Sequence, residues 1–194
     1  MLQDTQTLVE ANEVVCSDFP KHFIGKAVRI ALVGGFTPRR CEPATFTADV
    51  HASLLAASPH LAVDVYAMTP CHGHTDFDPA VCAAIAENDP TSFIAAAEKI
   101  EQSCPDMVWL QHEFGLYGGP AGDMIFALLD RVSAPLVITL HTVLPQPDAA
   151  HRAVMDRLIE CAARLVVMSQ HSAALLTSVY GADPEQIVVL PHGA

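Results

Sequence analysis

The chain has 194 residues, of which 51% are hydrophobic and 16% charged, and its net charge at neutral pH is −12. That composition suits one compact core, and the acidic balance excludes a nucleic-acid partner, which requires clustered lysine and arginine. No apolar run approaches the roughly 20 residues of a transmembrane helix and residues 1–26 lack the pattern of a signal peptide, so we expect a cytoplasmic protein with an N-terminal extension at 1–26 and one domain at 27–194.

Apolar runs of strand length alternate with helix-length segments along the chain. The predicted strands are 28–33, 62–67, 81–86, 107–111, 136–140, 165–168 and 187–190, and the predicted helices are 44–57, 91–103, 122–131, 148–162 and 172–180. Strands that are apolar throughout and separated by helices are typical of a parallel sheet with right-handed crossovers, covered on both faces. The sequence therefore predicts a doubly wound, mostly parallel, Rossmann-like α/β domain.

The first predicted strand runs directly into Gly34 and Gly35. In an open α/β sheet such a junction can bind phosphate, because glycine lets a ligand approach the backbone and the next helix begins with unpaired N–H groups. The segment GGFTPRR fits neither the dinucleotide fingerprint nor the P-loop, and glycines here can also be purely steric. Five of the ten basic residues surround this turn, which indicates either a solvated loop or a local anion site: Lys21, Lys26, Arg29, Arg39 and Arg40.

His112 and Glu113 follow the fourth predicted strand and precede a loop rich in glycine. Such a pair can supply an acid/base group, a hydroxyl acceptor or a metal ligand. Because adjacent strand residues point to opposite faces, at most one of them faces a cleft while the strand continues. We interpret His112 as an anchor of the loop, whereas Glu113 is equally consistent with ligand contact and with loop-anchoring hydrogen bonds.

His141 and Thr142 follow the fifth predicted strand, on the same rim of the sheet as the glycine turn. A lone histidine beside an apolar strand is often a structural residue. At a strand's carboxyl end, however, an imidazole can donate a hydrogen bond to a sugar hydroxyl or to a developing charge. We therefore interpret His141 as a site residue.

The six cysteines show no repeated CxxC spacing, which favours reduced and mostly buried thiols over a disulfide framework. Cys41 lies near a helix start, where a thiol can become reactive, but we interpret it as a packing residue. A cluster of Cys71, His72, His74 and Cys82 matches no zinc spacing. We expect no metal site.

Taken in order, the motifs RIALVGGFTPRRCEPATF, QHEFG, TLHT and PHG resemble the N-terminal domain of family 4 retaining glycosyltransferases of the two-domain GT-B type. The resemblance runs from about Val28 to Gly193. It implies transfer of a sugar from a nucleotide-sugar donor to an acceptor, without an obligatory metal or other cofactor, between two Rossmann-like domains that close over the reactants.

The resemblance also implies roles for individual residues. Gly34 and Gly35 would lie near the donor diphosphate, His141 would contact the transferred sugar as the candidate catalytic residue, and His192 and Gly193 would lead into the interdomain hinge. The N-terminal domain would mainly shape the acceptor pocket, for which the candidates are Arg39, Arg40, Glu113, Gly118, Gly119 and Thr142.

Two departures from the family pattern matter. Glu42 and Pro43 replace the Gly-Ile pair of the usual RCGIATF. The added acidic group and the stiffer loop would weaken anion binding at the turn. The donor-binding domain is expected to be missing, so the chain would need that domain or a separate partner chain for activity, and its exposed interdomain face could promote self-association. Two alternatives remain: a non-catalytic module that binds a carbohydrate or phosphorylated metabolite, and a small α/β enzyme that uses His112 and Glu113.

Overall fold

The computed structural model describes residues 28–58, 60–70 and 77–191. The expected N-terminal extension, the basic residues Lys21 and Lys26, and the hinge residues His192 and Gly193 lie outside this part of the chain. So do three members of the cysteine and histidine cluster: Cys71, His72 and His74.

The described residues form one seven-stranded sheet with the strand order β3-β2-β1-β4-β5-β6-β7. All six neighbouring pairs are parallel. The strands are β1 Val28–Gly35, β2 Leu61–Thr69, β3 Val81–Ala86, β4 Met107–His112, β5 Leu136–Leu140, β6 Arg164–Val167 and β7 Ile187–Val189. The α-helices are α1 Glu42–Ala57, α2 Pro90–Ser103, α3 Phe126–Leu129, α4 Ala149–Cys161 and α5 Gln170–Tyr180. This confirms the predicted doubly wound Rossmann-like fold.

The helices are distributed unequally over the two faces of the sheet. Because β2 lies on one side of β1 and the later strands lie on the other, right-handed crossovers put α1 on one face and the remaining helices on the opposite face. The side chains of β1 alternate accordingly: Ala31 and Val33 belong to the larger core, while Ile30 and Leu32 belong to the smaller core under α1.

Side chains and one glycine set the ends of several helices. Asp89 begins α2 by accepting a hydrogen bond from the backbone N–H of Thr91 at 3.0 Å. Ser169 does the same at the start of α5. Gly181 ends α5 in the left-handed conformation, with a φ of 73°.

The predicted helix at 122–131 is wrong in its form. The structure has a 3₁₀-helix at Pro120–Ile125 followed by the four-residue α3. Gly118, Gly119 and Gly122 all have positive φ, which interrupts regular helix before this point. The chain is therefore a tight, irregular loop over the end of β4 before it reaches α3.

The expectation of mostly buried thiols is also wrong. Cys41 is half-buried, and Cys82, Cys104 and Cys161 are exposed and unpaired. These three lie on the edge strand β3, directly after α2, and at the last residue of α4, where little chain covers them.

Across residues 28–58, 60–70 and 77–191, we find no helix long and apolar enough to cross a membrane.

Candidate functional site

The site is built where β1, β4 and β5 end. These three strands are neighbours and run parallel, so their carboxyl ends meet at one edge of the sheet. In doubly wound folds, ligands bind at this edge. Most of the residues singled out from the sequence lie on the segments that leave it.

Gly34 and Gly35 are both buried, but close packing requires a glycine only at position 34. A Cβ on Gly34 would lie 2.9 Å from the Cβ of Gln111, and a Cβ on Gly35 would lie 3.4 Å from the backbone and side chain of Ala44. Gly34 thus lets β4 approach β1, whereas a Cβ on Gly35 would make an ordinary van der Waals contact with the first turn of α1. The steric interpretation that the sequence left open is sufficient for Gly34 but not for Gly35, and contact of either glycine with a diphosphate stays a prediction.

Gln111 connects the glycine turn to His141. Its side chain is fully buried, and its Oε1 lies 3.1 Å from Nε2 of His141. The backbone N–H of His141 donates to the carbonyl of His112 at 3.0 Å, and the ring of Phe46 packs edge-on against the imidazole, with 4.9 Å between centroids. Gly34, Gln111 and His141 therefore form one continuous set of contacts, and a half-buried imidazole lies at its end.

Sequence reasoning gave Gln111 no role of its own. The signal was present, because an amide near the end of a buried strand must find a hydrogen-bond partner or lose stability. What the sequence did not show is that the partner would be His141, thirty positions later.

Glu113 and Thr142 are also brought together. Oε2 of Glu113 accepts a hydrogen bond from the Thr142 hydroxyl at 2.6 Å, and Oε1 accepts one from the backbone N–H of Phe114 at 3.0 Å. Glu113 thus ties the start of the glycine-rich loop to the segment after β5. Of the two interpretations left open for this carboxylate, the loop-anchoring contacts are present.

His112 points to the other face of the sheet and is fully buried. Its ring stacks on Tyr117, with 5.7 Å between centroids and 12° between planes, and meets Phe114 edge-on. Burial lowers the pKa of His112 to about 3, and the nearby His141 adds to the shift. A neutral, enclosed imidazole cannot exchange protons with a substrate in the cleft, so the small enzyme using His112 and Glu113 is not supported. His112 does anchor the loop, but through ring packing.

Arg39 is engaged by Glu87 rather than free for an acceptor. Its guanidinium forms an ion pair with that carboxylate, and both side chains are largely buried. Burial lowers the pKa of Arg39, but hydrogen bonds to Glu87 and Cys41 outweigh it and raise the pKa above its ordinary value. Gly118 lies against the same turn: a Cβ there would come within 1.9 Å of the Glu87 carbonyl oxygen. Arg39 and Gly118 are therefore joined through the segment after β3.

The other candidates lie around these contacts. Gly119 is exposed and turns the loop with a φ of 69°, and Arg40 is exposed, with no hydrogen bond or ion pair to the rest of the described chain. Arg29 does not belong to the site, because it lies near the start of β1 and pairs with Asp64 at 2.7 Å. The six positions from Arg29 to Gly35 span about 20 Å in a strand. The expected basic cluster is therefore split.

In the described ranges, no three histidine, cysteine or acidic side chains are placed to hold a metal ion. What the site offers is one half-buried imidazole, one free guanidinium and a set of backbone and carboxylate groups at the sheet edge. These can hydrogen-bond to hydroxyl groups and attract an anion.

Comparison with known proteins gives a family. A family model described as a glycosyl transferase 4-like domain matches residues 31–193. A search of the curated proteins found no match.

Solved structures share the fold at low sequence identity. A glycosyltransferase from Rickettsia africae ESF-5 is 18% identical, with a TM-score of 0.53 over 88% of this chain and 44% of that one. The lipopolysaccharide outer core galactosyltransferase WaaB, in its apo form, is 10% identical, with a TM-score of 0.58 over 86% of this chain and 46% of that one. A UDP-GlcNAc 2-epimerase from Neisseria meningitidis, solved with UDP-GlcNAc, is 16% identical, with a TM-score of 0.53 over 84% of this chain and 45% of that one.

These structures include both transferases and an epimerase, so their likeness establishes the fold and does not select an activity. The chain spans less than half the length of each of them. The family model is described as a glycosyl transferase domain and covers the glycine turn and the ends of β4 and β5. The chain belongs to the glycosyl transferase 4-like domain family.

Proposed function

We propose that residues 28–191 form the acceptor-side wall of a glycosyltransferase cleft, which transfers a sugar from a nucleotide-sugar donor to an acceptor. The observation that carries this proposal is the continuous contact from Gly34 through Gln111 to His141 at the carboxyl edge of the sheet. The family membership supports it, because the matched region contains all three residues.

In this proposal His141 contacts the transferred sugar. Its imidazole is half-buried and is held by Gln111 and Phe46, so little side-chain freedom is lost when a sugar hydroxyl binds. The donor diphosphate would lie over the backbone of Gly34 and Gly35 at the start of α1, where N–H groups favour an anion. Arg40 supplies the free positive charge on the rim.

The acceptor would bind between the glycine turn and the loop after β4. Glu113 and Thr142 are bonded to each other, and Arg39 is bonded to Glu87, so these residues shape the pocket by holding its walls. Gly118 and Gly119 give the loop the positive φ angles it needs to close over β4. Direct acceptor contact falls to Arg40 and to the backbone of this loop.

Transfer also needs a donor-binding wall, which we propose is supplied by a second domain or by a partner chain. The reason is that the solved relatives are more than twice as long as the part of them that this chain matches. A second copy of this chain is a further possible partner at the same edge, and sedimentation velocity would detect it. We place the protein in the cytoplasm, which suits its exposed thiols at Cys82, Cys104 and Cys161.

The proposal is tested by titrating the ¹⁵N-labelled 194-residue protein with UDP-, GDP- and ADP-sugars and following the amide resonances. We expect one class of nucleotide sugar to shift the amides near Gly35, His112 and His141. The substitution His141→Ala should weaken that binding about tenfold or more, as expected for the loss of a hydrogen bond of ~1.4 kcal/mol. The control is His60→Ala, an exposed histidine just before β2, at the opposite edge of the sheet.

Two results would contradict the proposal. In the first, the shifts would map to the opposite edge of the sheet or respond equally to His141→Ala and His60→Ala. In the second, the protein would bind free sugars or phosphorylated metabolites but no nucleotide sugar, which would favour the non-catalytic binding module.

A further inference from the structure

Gln111 pairs with His141 in a pattern that its strand repeats. Two residues earlier on the same face of β4, Nε1 of Trp109 donates a hydrogen bond to the hydroxyl of Thr139 at 2.9 Å. Each of the two β4 residues thus bonds to a residue two positions beyond its own register partner on β5. The Gln111–His141 contact is therefore set by the sheet and not by a mobile loop.

The backbone and the Cβ of Gln111 are held by its neighbours. Its backbone carbonyl accepts a hydrogen bond from the Tyr117 hydroxyl at 2.6 Å, and Gly34 leaves space for its Cβ. Its Nε2, however, is buried without a hydrogen-bond partner among the described residues. A buried, unpaired amide nitrogen lowers stability, so an apolar side chain of the same size would be more stable here. The reason for an amide at this position is therefore the hydrogen bond between its Oε1 and His141.

That contact favours one protonation state of the neutral His141 ring. An amide oxygen only accepts hydrogen bonds, so Nε2 of His141 must be the donor, and in the neutral ring Nδ1 is then unprotonated. The edge-on ring of Phe46 restricts the orientation of the imidazole further. We propose that Gln111 is a positioning residue that holds His141 in its Nε2–H tautomer. The inference rests on the proposed function for what His141 contacts, but the state of the ring is measurable without any ligand.

Long-range ¹H–¹⁵N correlation spectra of the unliganded 194-residue protein test this directly. In the wild type we expect the His141 signals of a protonated Nε2 and an unprotonated Nδ1. In Gln111→Met, which keeps the length and loses the acceptor, we expect a mixture of the two tautomers. This variant also removes the unpaired amide nitrogen, so we expect it to fold.

Gln111→Glu is the conservative rescue, because a carboxylate also accepts from Nε2. It should restore the Nε2–H state and raise the midpoint of the His141 titration by about one pH unit, a tenfold change in proton affinity, since a negative charge favours the imidazolium. The titratable neighbours His112 and Glu113 are the same in every variant. Thr47→Val is the matched control: its buried hydroxyl also lies beside Gly34 but donates to the carbonyl of Pro43.

An Nδ1–H tautomer in the wild type would overturn the inference, and so would an unchanged tautomer in Gln111→Met. A His141 titration that Gln111→Glu leaves unshifted would do the same. The nucleotide-sugar titration described above is independent of these spectra. Its failure would remove the proposed function and leave the role of Gln111 standing.

Discussion

Individual residues at the sheet edge have neighbours that the sequence could not reveal. The positions of Gly34, Gly35 and His141 at strand ends were predictable, because their strands are apolar and well bounded. That Gln111 fills the space beside Gly34 and bonds to His141 depends on the adjacency of β1, β4 and β5. Arg39 and Arg40 looked equivalent in sequence, yet only Arg39 meets a carboxylate.

His112 makes the stability of the fold depend on pH. Its pKa is about 3 in the folded protein and about 6.5 in an unfolded chain. Between these values the unfolded state binds more protons, so the free energy of unfolding falls as the pH drops below about 6.5, by up to about 1.4 kcal/mol per pH unit. Above that pH neither state is protonated, and His112 contributes no dependence.

We expect His112→Phe to flatten this dependence, because phenylalanine keeps the stacking on Tyr117 and cannot be protonated. Urea unfolding between pH 5 and pH 7.5 measures the slope for the wild type and the variant. His60→Phe, at an exposed histidine, serves as the control and should leave the slope near that of the wild type. An equal slope in wild type and His112→Phe would show that His112 binds protons equally in the folded and unfolded states, which would contradict the lowered pKa.

At the scale of elements, the sequence predicts the strands well and the segment after β4 poorly. Strands such as β3 and β5 have the predicted bounds, since continuous apolar runs between turn residues leave few alternatives. The segment 114–129 was assigned partly to a regular helix, but its conformation depends on what each glycine packs against. Local patterns do not contain that information.

Gly118 tests how tightly this loop is determined. Its φ is +65°, and a Cβ would overlap the Glu87 carbonyl oxygen, so we expect Gly118→Ala to lower the free energy of unfolding by at least about 2 kcal/mol. Gly115 is in the same loop, but its Cβ would meet no atom within 4 Å. Gly115→Ala should therefore change stability by less than about 0.5 kcal/mol. Similar losses for both variants in urea unfolding would mean that the loop does not pack against the segment after β3.

At the scale of the whole molecule, the positive charge near the cleft is small. The chain has a net charge of −12, and at the glycine turn Arg39 is neutralised by Glu87, which leaves Arg40 as the unpaired cation there within the described residues. A departing nucleoside diphosphate needs several preorganised donors and the exclusion of water. The carboxyl edge of this sheet, with Arg40 as its unpaired cation among the described residues, does not meet that requirement.

We therefore expect the purified 194-residue protein to release little or no nucleoside diphosphate from a nucleotide sugar, whether water or an added sugar is the acceptor. Chromatographic quantification of the diphosphate measures this without knowledge of the physiological acceptor. His141→Ala is the matched control, because it distinguishes turnover at this site from a contaminating enzyme. Sustained release that His141→Ala abolishes would show that the chain alone stabilises the transition state, and the need for a second wall would then be rejected.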